Sequence, residues 1–195
     1  EHVRPDMVQN DIAGKPPSKE LFEKLGAAGM FATRLQPGPW MADCVKNCGM
    51  QLPGGLTPEK FDTFHEMIAH EELGRLGVPG DCDGIGAGFV IGVPPVLMFA
   101  RPEVRAKVGR ECIMGKKRIC LAISDPFAGS DVAAVQCTAT KTPDGKFYIV
   151  NGVKKWITNG TFCDYFTTAV RTGGKGFQAL SLLLIERSEG VETNP

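Results

Sequence analysis

The residues whose types and spacing best suit ligand binding lie at positions 121–131, in the stretch LAISDPFAGSD. A strand-like start runs into a loop of small, polar and turn-forming residues that carries two carboxylates, two hydroxyls and a glycine. Ala128, Gly129 and Ser130 can turn several backbone N–H groups toward one point, and only such small side chains let phosphate groups approach closely. The stretch is therefore suited to holding a ligand and poorly suited to packing a core.

A second stretch with functional potential contains two hairpin signals in succession. Pro-Asp-Gly at 143–145 and Asn-Gly at 151–152 each predict a turn between strands, and Asn-Gly best supplies the positive φ angles of a two-residue turn. We expect a strand after the second turn. Because side chains alternate along a strand, it would place Trp156 and Thr158 on one sheet face and Ile157 on the other.

Helical patterns dominate the chain before these two stretches. Ser18 is a predicted N-cap of a helix that Gly26 ends. A later helix is expected over 89–99, bent or broken at Pro94-Pro95. Another opens near Pro102 and runs until Gly115. The N-terminal part is therefore predicted to be helical.

One further helix is predicted between these, with Thr57 as its cap and Pro58 in its first position. Residues 36–56, rich in Pro and Gly, are expected to be irregular. The apolar stripe of the helix, expected to pack in the core, consists of Phe61, Phe64 and Ile68.

From Arg118 onward the pattern changes to the period of two that is typical of strands. Helices followed by strands predict an α+β fold. We expect an N-terminal all-helical domain over 1–117 and an antiparallel β-barrel-like domain over 118–195, incomplete at its C-terminus.

Composition narrows the functional classes. With 22 basic and 22 acidic side chains the net charge is zero, so no nucleic acid is expected as a partner. No apolar run is long enough for a membrane span. The seven cysteines are odd in number, which favours a reducing, intracellular compartment. Cys44 and Cys48 lack a matching ligand pair, so no metal site is expected.

The two functional stretches resemble motifs of the acyl-CoA dehydrogenase family. SDPFAGSD at 124–131 is similar to the family's Thr-Glu-Pro-x-Ala-Gly-Ser-Asp loop, and NGVKKWITN at 151–159 to its Asn-Gly-x-Lys-x-Trp-Ile-Thr-Asn segment. EELGR at 71–75 is similar to Glu-Glu-Leu-Ala-Arg in the family's helical domain. The resemblance spans about residues 18–192, in order.

The resemblance implies FAD as cofactor and an acyl-CoA substrate that also meets Ser130. Trp156 would cover the isoalloxazine ring and Thr158 would donate a hydrogen bond to flavin N5. The flavin contacts implied by the resemblance are Leu121, Ala122, Ile123, Ser124, Gly129, Ser130, Trp156, Ile157 and Thr158.

The implied reaction is α,β-dehydrogenation, in which a carboxylate removes the α-proton of the thioester and hydride passes to the flavin. The catalytic base is expected beyond Pro195, so no catalytic residue is assigned. Glu71, Glu72 and Asp125 are expected to be structural, with Asp125 capping its own turn. Phe127 replaces a small residue of the family motif. The glycines between 80 and 92 are expected to loosen a segment beside the acyl pocket, which suggests a bulky acyl group.

The resemblance further implies an electron acceptor such as an electron-transfer flavoprotein, and a homo-oligomer, dimer or tetramer, in the complete protein. The compartment could be the mitochondrial matrix, the cytoplasm or the peroxisome. Two alternatives stay open. One is a flavin-dependent oxidase of the same fold, acting on an acyl-CoA or a nitroalkane, and the other is a non-catalytic scaffold. Retention of Ser130, Trp156 and Thr158 weighs against the scaffold.

Overall fold

The computed structural model describes residues 4–77, 80 and 84–194. Its N-terminal half is helical, and short 3-10 turns and loops join the helices. The six α-helices of the described residues are α1 Arg4–Ile12, α2 Lys19–Ala27, α3 Pro39–Cys48, α4 Thr63–Gly74, α5 Pro94–Phe99 and α6 Pro102–Ile113. A π-helix, Gly84–Val90, precedes α5. None of the helices in the described part of the chain is long and apolar enough to cross a membrane.

The predicted starts of α2 and α6 are confirmed. The Ser18 side chain accepts a hydrogen bond from the backbone N–H of Leu21 at 3.1 Å, and Pro102 opens α6. Residues 36–56 are not irregular throughout, as predicted, because α3 lies within them. Pro39 at its start and Gly49 at its end, with φ of 70°, are the residues that favour those positions.

The predicted start of α4 was wrong. Pro58 opens only a 3-10 turn, and α4 begins at Thr63 because Asp62 accepts hydrogen bonds from the N–H groups of its first turn. Phe61 therefore precedes the helix and is buried, at 4% exposure. Phe64 and Ile68, on the helix itself, are 63% and 42% exposed, so the three do not form one packing stripe.

The C-terminal part forms one five-stranded sheet around a central strand. Its strands are β1 Ile119–Ala122, β2 Thr138–Lys141, β3 Tyr148–Asn151, β4 Tyr165–Arg171 and β5 Leu180–Glu186. β4 pairs with β5 antiparallel along its whole length, and its other edge pairs parallel with β1 and, at Arg171, with β2. The α+β class is confirmed, with a mixed and open sheet in which only some pairs are antiparallel.

One of the two predicted hairpins is confirmed. β2 and β3 pair antiparallel across the Pro-Asp-Gly turn, where Gly145 has a φ of 71°. The second prediction, of a turn at 151–152 and a strand after it, was wrong, since residues 152–158 form no strand. Their backbone pairs with the loop that follows β1, and Trp156 takes a φ of 62° that no regular strand contains.

The helices and the sheet share a core. The largest cluster of buried apolar side chains runs through the helices and also includes Ile119 of β1 and Tyr165 of β4. The contact is close at Gly92, where an added Cβ would lie 2.9 Å from the backbone carbon of Cys120. Thr167 of β4 donates a hydrogen bond to the Gly92 carbonyl at 2.8 Å. This contact sets the helical part against the start of the loop at 123–131.

Candidate functional site

The loop after β1 forms a compact turn. The backbones of Asp125 and Ala128 pair with each other at 2.9 and 3.3 Å, which projects Phe127 outward at 77% exposure. Ala128 is buried, whereas Gly129 and Ser130 are exposed. A Cβ added at Gly129 would meet no atom within 4 Å, so the space beside this backbone is open.

Asp125 anchors the turn from inside the protein. Its side chain is only 2% exposed, and its Oδ2 accepts hydrogen bonds from the backbone N–H groups of Gln136 and Cys137. Lys154 donates to Oδ1 at 2.6 Å and also to the carbonyl of Ile123 at 2.7 Å. The expected structural role is confirmed, but Asp125 binds distant backbone and a lysine instead of capping its own turn.

This environment keeps Asp125 ionised. Burial acts to raise the pKa of its carboxyl, but the hydrogen bond from Lys154 and those from the backbone N–H groups of Cys137 and Gln136 outweigh it and lower the pKa. A carboxylate held in this way contributes an acceptor and a negative charge to the fold. It is not disposed to take up a proton in catalysis.

The segment after β3 lies against this loop. Gly152, with φ of 151°, lets it pass Cys137 closely, because an added Cβ would come within 2.8 Å of the Cys137 Sγ. Lys154 contributes the side-chain contacts described above, and the backbone N–H of Lys155 donates to the Ser124 carbonyl at 2.9 Å. These bonds hold the segment beside the first residues of the loop.

Trp156 and Thr158 point outward from this segment, whereas Ile157 points inward. Trp156 is 83% exposed and has the Lys155 ammonium over its ring at 4.7 Å from the centroid. Thr158 is exposed too. Ile157 packs on a small buried cluster that includes Cys120. The exposed and inward side chains differ as expected, but the predicted sheet face is absent because the segment forms no strand.

Asn159 connects the same segment to the helical part. It is 9% exposed, has a φ of 69°, and donates from Nδ2 to the Gly84 carbonyl at 2.7 Å. A Cβ added at Gly88 would lie 1.9 Å from that Nδ2. Gly84 and Gly88 belong to the π-helix, a rare element that is frequent at functional sites. With Gly92, these glycines allow close packing, so they do not simply loosen the segment as expected.

The structure brings together some of the predicted contact residues. Leu121 and Ala122 end β1, and Ile123 and Ser124 bind the second segment directly. That segment exposes Trp156 and Thr158 and turns Ile157 inward. Gly129 and Ser130 lie beyond the Asp125–Ala128 pairing, on exposed backbone. Contact of all these residues with a cofactor stays a prediction.

Lys154 and Asn159 are positioning residues that the sequence pattern did not reveal. Both lie within the quoted NGVKKWITN motif, and a lysine that follows an acidic loop residue by about thirty positions carries no periodic signal. The structural role expected of Glu71 and Glu72 stays a prediction. They form exposed ion pairs with Arg75 at 2.7 and 3.0 Å. Across residues 4–77, 80 and 84–194, no group of three or more His, Cys, Asp or Glu side chains could hold a metal ion.

Comparison with known proteins bears on this arrangement. Residues 120–195 match the family model described as acyl-CoA dehydrogenase, middle domain. The acyl-CoA dehydrogenase apdG of Emericella nidulans is 43% identical over 173 residues, which cover 89% of this chain and 39% of that protein. The chain belongs to the acyl-CoA dehydrogenase family. The family resemblance of the two loop motifs is thereby confirmed.

Two other acyl-CoA dehydrogenases are also similar to this chain. The mitochondrial very long-chain specific acyl-CoA dehydrogenase of Mus musculus is 29% identical over 157 residues, covering 75% of this chain and 23% of that protein. The crystal structure of an acyl-CoA dehydrogenase complexed with FAD from Bacillus anthracis superposes with a TM-score of 0.78 at 26% identity, covering 99% of this chain and 30% of that one. The chain thus spans about two fifths or less of the length of these relatives.

Proposed function

We propose that this chain provides one wall of the FAD and acyl-CoA site of a dehydrogenase that oxidises an acyl-CoA thioester between its α and β carbons. The observation that carries the proposal is Trp156. A large aromatic side chain that is 83% exposed follows two residues whose hydrogen bonds to Ile123, Ser124 and Asp125 hold the segment beside the loop after β1. An indole in this position is suited to covering a planar ligand.

The residues of this wall fit the cofactor. The open backbone at Gly129 and Ser130 can accept phosphate groups, because no side chain fills the space beside Gly129. The exposed hydroxyl of Thr158 can donate to a ring nitrogen of a flavin stacked on Trp156. When bound, FAD supplies the acceptor for the hydride lost from the β-carbon.

The chain's own residues would act by binding and orientation. Ser130 is proposed to contact the acyl-CoA as well as the cofactor, since it follows directly after the open Gly129 backbone. Asp125 would not serve as the base, because its carboxyl is engaged by one ammonium and two N–H groups. Its place is to hold the loop at a fixed position relative to Trp156.

The partners follow from the same proposal. Electrons would pass to an acceptor such as an electron-transfer flavoprotein. The complete protein would be a homo-oligomer, and the mitochondrial matrix is one candidate for its compartment. The mitochondrial very long-chain relative supports that compartment. One argument for a bulky acyl group no longer holds, because Gly84, Gly88 and Gly92 allow close packing.

The test is flavin affinity of the full-length protein carrying Trp156→Ala. Because an aromatic pair contributes about 0.5–1.5 kcal/mol, FAD binding should weaken by about two- to thirteenfold, as measured by flavin fluorescence titration. The matched control is Phe177→Ala, which removes an aromatic side chain of 69% exposure from a 3-10 turn before β5. Equal FAD affinity in both variants would contradict the proposal.

A further inference from the structure

A second concave site lies between the start of α2 and the turn that leads into β1. It has a volume of about 510 Å³, which is within the range typical of small-molecule sites. Its lining residues are Asn10, Lys15, Pro16, Pro17, Ser18, Lys19, Gly115, Lys116, Lys117, Arg118, Phe162 and Asp164. We call it the basic cleft.

The basic cleft is separate from the proposed flavin wall. Residues 116–118 enter β1 at its first residue, Ile119, whereas the loop at 123–131 leaves β1 after its last, Ala122. The two sites therefore lie at opposite ends of one strand. A ligand in the cleft would not occupy the space beside Trp156.

The charge of the cleft is strongly one-sided. Its lining contains five cationic side chains, Lys15, Lys19, Lys116, Lys117 and Arg118, and the single carboxylate of Asp164. In a protein whose net charge is zero, this surplus is local. A cleft lined by one sign of charge concentrates its field near its surface and attracts ions of the opposite sign.

Two of these cations are fixed in the wall. Lys117 donates to Asp164 at 2.9 Å, and the hydrogen bond to this carboxylate raises the pKa of Lys117. Arg118 donates to the Pro17 carbonyl and lies over the rings of Phe22 and Phe162. Both groups thus hold positive charge at set positions without needing a ligand to order them.

Two other cations remain available to a ligand. Lys15 and Lys116 are exposed, and neither forms an ion pair with a carboxylate among the residues that the structure describes. Lys19 makes only a long contact, 3.9 Å, to the exposed Glu23. The first residues of α2, Ser18 and Lys19, also line the cleft, so the positive end of the helix dipole adds to the same field.

From this geometry we infer that the basic cleft binds a phosphate-bearing small molecule, at a site distinct from that of the flavin. Phosphate groups suit the cleft because they present several acceptor oxygens and more than one negative charge to lysine and arginine donors. The volume exceeds what a single inorganic phosphate needs, which favours a diphosphate or a nucleotide. The half-buried Phe162, which has Arg118 over its ring, adds apolar surface to the lining.

The test uses the FAD-loaded, full-length protein with inorganic pyrophosphate and ADP as probes in isothermal titration calorimetry at low salt. Saturable binding of either is expected, and it should weaken as salt is added because the contacts are screened. The double variant Lys15→Glu/Lys116→Glu should bind both probes with an affinity at least about tenfold lower than that of the wild type. ADP binding tighter than pyrophosphate would assign a nucleotide, and equal binding would assign the phosphates alone.

The matched control is Lys146→Glu/Lys175→Glu, which changes the net charge equally at two exposed lysines outside the cleft. It should bind both probes as the wild type does. The inference is overturned if the wild type shows no saturable binding up to about 10 mM. It is also overturned if both double variants lose affinity to the same extent, since the effect would then reflect net charge alone.

Discussion

Lys154 is expected to be the residue on which the shape of the proposed cofactor wall most depends. Its side chain is 12% exposed and that of Asp125 only 2%, so the pair is largely removed from water. The Lys154 ammonium joins Asp125 at 2.6 Å and the Ile123 carbonyl at 2.7 Å. The substitution Lys154→Met keeps most of the side-chain length and removes both hydrogen bonds.

The expected loss follows from the burial. Removing one partner of a buried ion pair costs about 3–5 kcal/mol, because the other charge is left uncompensated. Asp125 retains the N–H groups of Gln136 and Cys137, so we expect the lower end, about 3 kcal/mol in the free energy of unfolding. Urea denaturation of the full-length protein measures this. Lys146→Met, at an exposed hairpin lysine, should stay within about 0.5 kcal/mol of the wild type.

The loss should depend on pH in a defined direction. In the wild type the pKa of Asp125 is lowered from 3.8, so its contribution to stability is fully present above pH 3.8 and is lost as the pH falls below that value. In Lys154→Met the burial of Asp125 remains without its lysine, so the pKa of this carboxyl should rise. The variant can then relieve its unpaired charge by protonation, and its stability deficit should shrink on acidification.

The double variant Asp125→Asn/Lys154→Met measures how much of the stability comes from the interaction between the two residues. Since the two residues contact each other, the double variant should be less destabilised than the sum of the single variants. The reasoning would be refuted if Lys154→Met unfolded within about 0.5 kcal/mol of the wild type, or if its deficit stayed constant from neutral pH to pH 4.

Two further predictions concern packing and ion pairing. Gly88→Ala should lower the melting temperature, because its Cβ would lie 1.9 Å from the Asn159 amide nitrogen and overpacking costs about 1–3 kcal/mol. The control is Gly174→Ala, where an added Cβ meets no atom within 4 Å. Equal melting temperatures of the two variants would contradict the close packing at Gly88. Arg110→Lys should weaken the contact between α6 and α3 and lower the urea midpoint of unfolding, because a lysine cannot reproduce the two hydrogen bonds of 2.6 and 2.7 Å to Asp43. An unchanged midpoint would show that the bidentate geometry is dispensable.

The amino-acid sequence by itself determined the local features of this protein. Ser18 as a cap, Pro102 as a helix start and the Pro-Asp-Gly turn at 143–145 were all predictable. Each depends on backbone preferences and hydrogen bonds within a few residues. The order of a helical part followed by strands was predictable for the same reason, since the spacing of apolar residues changes along the chain. The two loop motifs are also specific enough to identify the family from the sequence alone.

Only the tertiary structure decided how these features meet. Trp156 is presented by a backbone with a φ of 62° instead of by a strand, because residues 154–155 bind the loop after β1 and leave no edge for pairing. Asp125 takes its partners from positions that are distant in the chain. The parallel pairing of β1 with β4 likewise joins residues more than forty positions apart. Such contacts are selected by which surfaces bury each other in the folded chain, and that information is not contained in any local pattern.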